Sequence, residues 1–323
     1  MNRLRIRATL AFVALLLTSR LAAPVSAQQQ PEQGTASETG TAKARFLAAH
    51  GDFAEKARRF TPMIEMSALY LPEGKVHKEP GEFELMHYKL EALIPIPMGQ
   101  DTFLLAGAHF GARDYDFSGV SGAEDDVLYS AGLRVGAGHF INDDFVIQAY
   151  WQPSLYSDLD ESLNSEDWKL WYGAALATYR CRDNLFLKVG VLLTDAQDTG
   201  AIPLAGVCWT FHPQWRLDIL LPRHAEVSWS LSRPLNLQVG LESESEEFHV
   251  RTGTPQGTRE TDVHVQDIRA YLGASYRFTD MLSTFAKVGS PVAGDYKWRD
   301  GGAKYDGTLE LAFFAQMGLG LTF

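Results

Sequence analysis

Cysteine is almost absent from this chain: Cys181 and Cys208 are the only two in 323 residues. No disulfide framework can hold the fold, so its stability must come from backbone pairing and burial. One falls at a turn and the other within a strand two strands later, which gives neither a bridge nor a metal spacing. Long apolar runs are missing too. After Thr61 nothing approaches the roughly 20 apolar residues of a spanning helix, which excludes a helical membrane bundle. Gly-rich phosphate loops and Cys/His metal patterns are likewise absent, so no cofactor and no metal are implied. Bases are scarce, with 29 Lys and Arg against 40 Asp and Glu, and this argues against a nucleic-acid partner.

What is present begins with an export signal. Arg3, Arg5 and Arg7 precede "ATLAFVALLL" and then "LAAPVSA", the three-part order of a secretory leader cleaved after Ala27. Cleavage removes Arg3, Arg5, Arg7 and Arg20, so 25 of the 29 bases remain against 40 acids and the net charge is −15. Residues 28–61 are expected to form a flexible periplasmic lead-in, because their Gln, Gly, Ser and Thr cannot bury enough surface to order. Within it Phe46, His50, Phe53 and Ala57 fall on one face of a short helix, docked loosely or serving as a plug, although Gly51 weakens it.

From residue 62 to residue 323 the period changes to two. In "TFLLAGAHFGAR" Leu104, Ala106, Ala108 and Phe110 form one row, and Leu105, Gly107, His109, Gly111 and Arg113 the other. "VLYSAGLRVGAGHF", "AEVSWSL" and "DIRAYLGASYRF" repeat the division, with one row apolar and the other polar or glycine. About fourteen such segments occur, twelve being the alternative count, mostly of the ~9 to 11 residues that a tilted strand needs to cross a bilayer. Short connections such as "INDD", "RCRDN", "FHPQ" and "FTD" alternate with longer ones such as "PSLYSDLDESLNSED" and "SESEEFHVRTGTPQGTRETDVHV"; the hairpin "PRH" breaks the rule. The pattern predicts an all-β fold, an antiparallel up-and-down transmembrane β-barrel with short periplasmic turns and longer external loops. A secreted β-sandwich would alternate as well, but it has no reason to line one face with glycine and scattered charge.

The inward row on this register contains Arg113, Arg134, Lys188, Arg216, Asp218, Glu226, Arg269, Arg277 and Lys287. Seven of the nine are cations, which implies a mildly cationic lumen. A pore or small-solute channel is the leading expectation; a structural or surface-interaction barrel with a filled lumen is the second. A barrel hydrolase ranks third, because the strand histidines His87, His109 and His139 have no Ser and acid at a matching register.

The final stretch "LELAFFAQMGLGLTF" alternates down to a terminal aromatic. It resembles the C-terminal signature of Gram-negative outer-membrane proteins, and the resemblance implies that Leu319, Leu321 and Phe323 form a signal for the barrel-assembly machinery. "WRLDILLPRHAEVSWSLSRPLNLQVGLESESEEFHV" resembles an uncharacterised family of outer-membrane barrels of the DUF6268 type, known only as a domain of unknown function. That likeness implies a barrel in outer-membrane lipid and no established activity. Replacing Phe323 with Asp is expected to lower the yield of assembled barrel, read as loss of the heat-modifiable band on gels; unchanged yield would contradict the assembly role.

Overall fold

The computed structural model describes residues 62–75, 82–99, 101–118, 126–159, 163, 165, 167–194, 200–254, 257–300, 303–308 and 313–323. The expected leader and lead-in lie outside them. Strand segments run in the order β1 (Met63–Lys75), β2 (Glu82–Pro97), β3 (Thr102–Ser118), β4 (Asp126–Asn142), β5 (Phe145–Trp151), β6 (Ser154–Ser157), β7 (Trp168–Lys169), β8 (Gly173–Arg182) and β9 (Leu185–Leu193). They continue with β10 (Ala201–His212), β11 (Trp215–Leu221), β12 (His224–Ser230), β13 (Leu235–Thr254), β14 (Gly257–Arg277), β15 (Leu282–Asp300), β16 (Ala303–Thr308) and β17 (Phe314–Thr322).

These segments build a closed antiparallel ring of 14 staves, as expected from the alternation. Three staves are interrupted: β5 and β6 make one, β7 and β8 the next, and β16 and β17 the last. Closure joins the last stave to the first, from Met63 opposite Thr322 to Tyr70 opposite Ala315. No strand edge is left open there, which a wall in hydrocarbon requires.

The two rows separate as they must in such a wall. Leu133, Val189, Leu272 and Met317 point outward and are 60–67% exposed, while the inward Arg113, Asp218 and Arg269 are 3–5% exposed. Apolar outside and charged inside is the reverse of a soluble core. Side-chain caps make the turns at the end where β1 begins and β17 finishes. Asn142 Oδ1 accepts from the Asp144 amide at 2.9 Å, and Thr279 Oγ1 accepts from Met281 and Leu282 at 3.2 and 3.0 Å. Aromatics gather at the same end, where Trp215 stacks on Trp229 at 5.3 Å and Tyr276 meets Phe278 at 5.0 Å.

Staves differ in height far more than the sequence suggested. β13, β14 and β15 have 20, 21 and 19 residues, against 9, 7 and 7 in β9, β11 and β12. The stretch from Ser243 to Val265, which reads as a long external loop, is a hairpin paired from Ser243 opposite Ile268 to Thr254 opposite Gly257. Its polarity misled because a strand that rises above the membrane has no lipid to face and so loses the apolar outward row. A second correction concerns the acidic loop after Trp151. Ser154, Ser157, Asp158 and Asp167 are 0–3% exposed rather than solvated.

The reason is that β6 continues its stave along β4 in the register of β5, and its far end reaches the opposite wall. It pairs with β4 from Gly132 opposite Ser154 to Tyr129 opposite Ser157, and Ser157 also bridges His249 of β13 on the far wall. Tyr156 therefore sits inside, edge-on to Phe248 at 5.3 Å, and not at the membrane boundary where its neighbours Trp151 and Trp168 are exposed. Gly132 makes room: a Cβ there would lie 2.4 Å from Ser154 Oγ and 2.7 Å from the Pro153 carbonyl. Gly132→Val is accordingly expected to expel β6, opening the 154–169 segment to protease while the lower barrel stays heat-modifiable. Unaltered resistance would show that β6 is not seated by this glycine.

Candidate functional site

Inward positions from opposite walls meet in a charged lattice. The β13 row Glu242, Glu244, Glu246 and Phe248 is its spine, presented at every second residue. Arg113 of β3 lies 2.9 Å from Glu246 and 3.4 Å from Glu244, and its guanidinium covers the Phe248 ring at 5.9 Å. Arg269 of β14 bonds Glu244 and, at 3.0 Å, Asp267. Lys287 of β15 reaches Glu242 at 2.5 Å and rests on the Tyr271 ring at 4.3 Å. Lys89 of β2 stands 3.1 Å from Glu91 and 3.9 Å from Glu244. Glu244 thus receives cations from three staves, two of them across the lumen.

Nearer the short turns a second group forms. Asp218 of β11 takes Lys188 at 2.8 Å and Arg216 at 2.7 Å, and Tyr271 donates its hydroxyl to Glu226 at 2.7 Å. Arg134 instead has neutral partners, Gln152 Oε1 at 2.8 Å and the Tyr150 ring at 5.2 Å. Arg277 lines a cavity beside the turn of residues 278–281. The nine inward residues expected from the sequence are therefore distributed along one interior, six of them bonded into the two ionic groups on carboxylates or, for Asp218, on bases.

What the sequence reading missed is the acid half of the lattice. Glu244 and Glu246 fell in a segment read as loop, although together with Glu242 their two-residue spacing continues that of Asn236, Gln238 and Gly240 without a break. That phase continuity was the available signal. The two cysteines are unbridged, Cys181 exposed and Cys208 buried. Among the histidines, His139 Nδ1 lies 2.9 Å from Thr102 Oγ1, and His109 Nε2 has no hydrogen-bond partner, so neither is bonded to a serine.

Three cavities follow one another through the interior. One of about 240 Å³ lies beside β6 and includes Arg134 and Arg223. It shares His87, Lys89 and Glu244 with a central chamber of about 590 Å³. The chamber in turn shares Ser275 and Phe285 with one of about 230 Å³ at the short-turn end. On the other side of that end Phe103, Phe140, Val146, Phe186 and Cys208 form an apolar floor. Arg113 and Arg269 are buried and both rest on Glu244, so deleting that carboxylate strands two buried cations. Glu244→Gln is expected to cost about 3 kcal/mol of stability, at the lower end for a broken buried pair, seen as a lower urea midpoint. Glu91→Gln, touching only Lys89 in the lattice, should cost clearly less; equal effects would refute the central place of Glu244.

Several solved structures are similar to the chain at low sequence identity. An outer-membrane channel from Pseudomonas putida is 11% identical, with a TM-score of 0.48, covering 82% of this chain and 96% of its own. A FadL homologue from Pseudomonas aeruginosa is 12% identical, with a TM-score of 0.46, covering 85% and 94%. The KdgM porin is 9% identical at a TM-score of 0.35, covering 81% and 99%. No curated protein matches the chain. The sequence profile of a domain of unknown function, DUF6268, matches residues 73–320, and the chain belongs to that family.

Proposed function

We propose that this barrel is an outer-membrane channel for small solutes, with a narrow charged route and a mild preference for anions. The observation that supports it is the series of three cavities with shared lining, running from beside β6 to the short-turn end. A barrel of 14 staves stands between the ~8 that side chains fill and the 16 to 18 that leave a wide aqueous channel. A restricted path is what such a circumference can enclose. The outward apolar band and the closed ring call for lipid around the wall, consistent with an exported outer-membrane protein. The anion preference would come from Arg134 and Arg223, which hold neutral partners, while the lattice cations are balanced by carboxylates.

The second reading, a structural barrel with a filled lumen, draws on the cross-wall ionic lattice, which would serve as internal bracing. Conductance separates the two. Refolded protein in planar bilayers should give small, discrete current steps with chloride more permeant than potassium. Absence of any steps from correctly folded protein would favour the filled barrel.

A further inference from the structure

Beyond the seam made by β6 the tall staves form a narrower enclosure, and its interior is packed. Leu71, Leu85, Tyr115, Leu128 and Phe248 are all 1–5% exposed. Among the described residues this packing fills the way upward between the tall staves. On the low side the wall is different. β12 covers β13 only as far as His224 opposite Glu242, and the next strand contact on that edge is β6 at His249. Between them the edge is tied by the Ser243 amide donating to the Arg223 carbonyl at 2.8 Å and, just below His249, by Lys169 of β7 donating to Glu247 at 2.8 Å, which leaves Glu244 to Glu246 without a backbone neighbour on that side among the described residues. This gap is a lateral window beneath β6, and the cavity of about 240 Å³ lies in it, touching Ser243 and Ser245 at the window and Lys89 and Glu244 inside.

The window has a chemical character of its own. Arg134 and Arg223 converge on one residue, Arg134 over the Tyr150 ring at 5.2 Å and Arg223 donating to its hydroxyl at 3.3 Å. Their hydrogen bonds go to neutral groups, and although the charge of Glu91 in the same cavity acts on both, their N–H groups are left able to take a bidentate carboxylate. Alongside them Tyr172, Leu192 and Ile202 present an apolar wall, part of a cluster that includes Tyr150. The neighbouring rim carries Trp151, Trp168 and Trp171, which are 52%, 47% and 75% exposed. Indoles take that position at a membrane surface. The low staves are about as long as the ~9 to 11 residues needed to cross a bilayer, so their upper ends lie at its outer face. There an amphiphile is concentrated, its apolar body in the lipid and its charge at the headgroups.

Building on the channel reading, we propose that the loop-side entrance of this barrel is the lateral window, and that it admits amphipathic organic anions, the carboxylate on Arg134 and Arg223 and the apolar body on Tyr172, Leu192 and Ile202.

Planar-bilayer recording in a Cys181→Ser background tests both halves, with heat-modifiable mobility confirming that each variant folds. Ser245→Cys treated with a bulky methanethiosulfonate should lose about nine tenths of its current. Phe248→Cys, on the opposite face of the same strand and inside the packed enclosure, should not change on treatment. Octanoate should block wild-type current while octanol does not, and combining Arg134→Gln with Arg223→Gln should raise the half-blocking octanoate concentration about tenfold, the loss of ~1.4 kcal/mol. Full current after modification at Ser245→Cys, or block at Phe248→Cys instead, would overturn the lateral entrance. Equal block by octanol and octanoate, or unaltered octanoate block in the double variant, would overturn the ligand class. A folded wild-type barrel with no current at all would instead remove the channel reading itself.

Discussion

Every backbone amide and carbonyl placed in hydrocarbon must find its partner within the protein, since an unmade bond there costs several kcal/mol. The pairing of β1 with β17 meets that demand at the one place where an up-and-down sheet would otherwise stop. The other features depend on it. Once the ring is closed, lipid outside and a confined interior impose opposite chemistries on alternate residues. Strands with a two-residue period then satisfy both sides at once.

The confined interior has its own requirement. Charges there have little water to solvate them, so each must be answered by another charge or by a hydrogen bond. β13 supplies the answer with a row of carboxylates that faces cations from β2, β3, β14 and β15. A lattice of this kind braces opposite walls against one another. It also engages most of the lumen's cations, which leaves Arg134 and Arg223, hydrogen-bonded to neutral groups, as the chemically available ones.

The stave count, the turn positions and the in-out phase were legible in the sequence because they are local: each follows from the neighbours two residues away. Arg113, Arg269 and Lys287 were assigned to the inward row for that reason. Their partners were not found, because polarity alone cannot distinguish a loop from a strand that rises above the membrane, and Glu244 and Glu246 look alike in both. The cross-ring contact of β6 was out of reach for a different reason. Tyr156 and Ser157 meet Phe248 and His249 of β13 across the ring, and no periodicity along the chain reports a contact between walls. Asp158 and Asp167, buried beside that contact, illustrate the same limit.

Closure also has a consequence in time. Met63 must meet Thr322, a contact between nearly opposite ends of the described chain, whereas every other neighbouring pair of full staves is consecutive in sequence. Hairpins can therefore form early and independently, but the ring can shut only after all of them are in place. Such long-range contacts make folding slow and leave edges exposed while it proceeds. Until that last pairing forms, β1 and β17 are two open edges able to bind strands of other chains, so the dwell time before closure sets how much of the protein is lost to aggregation.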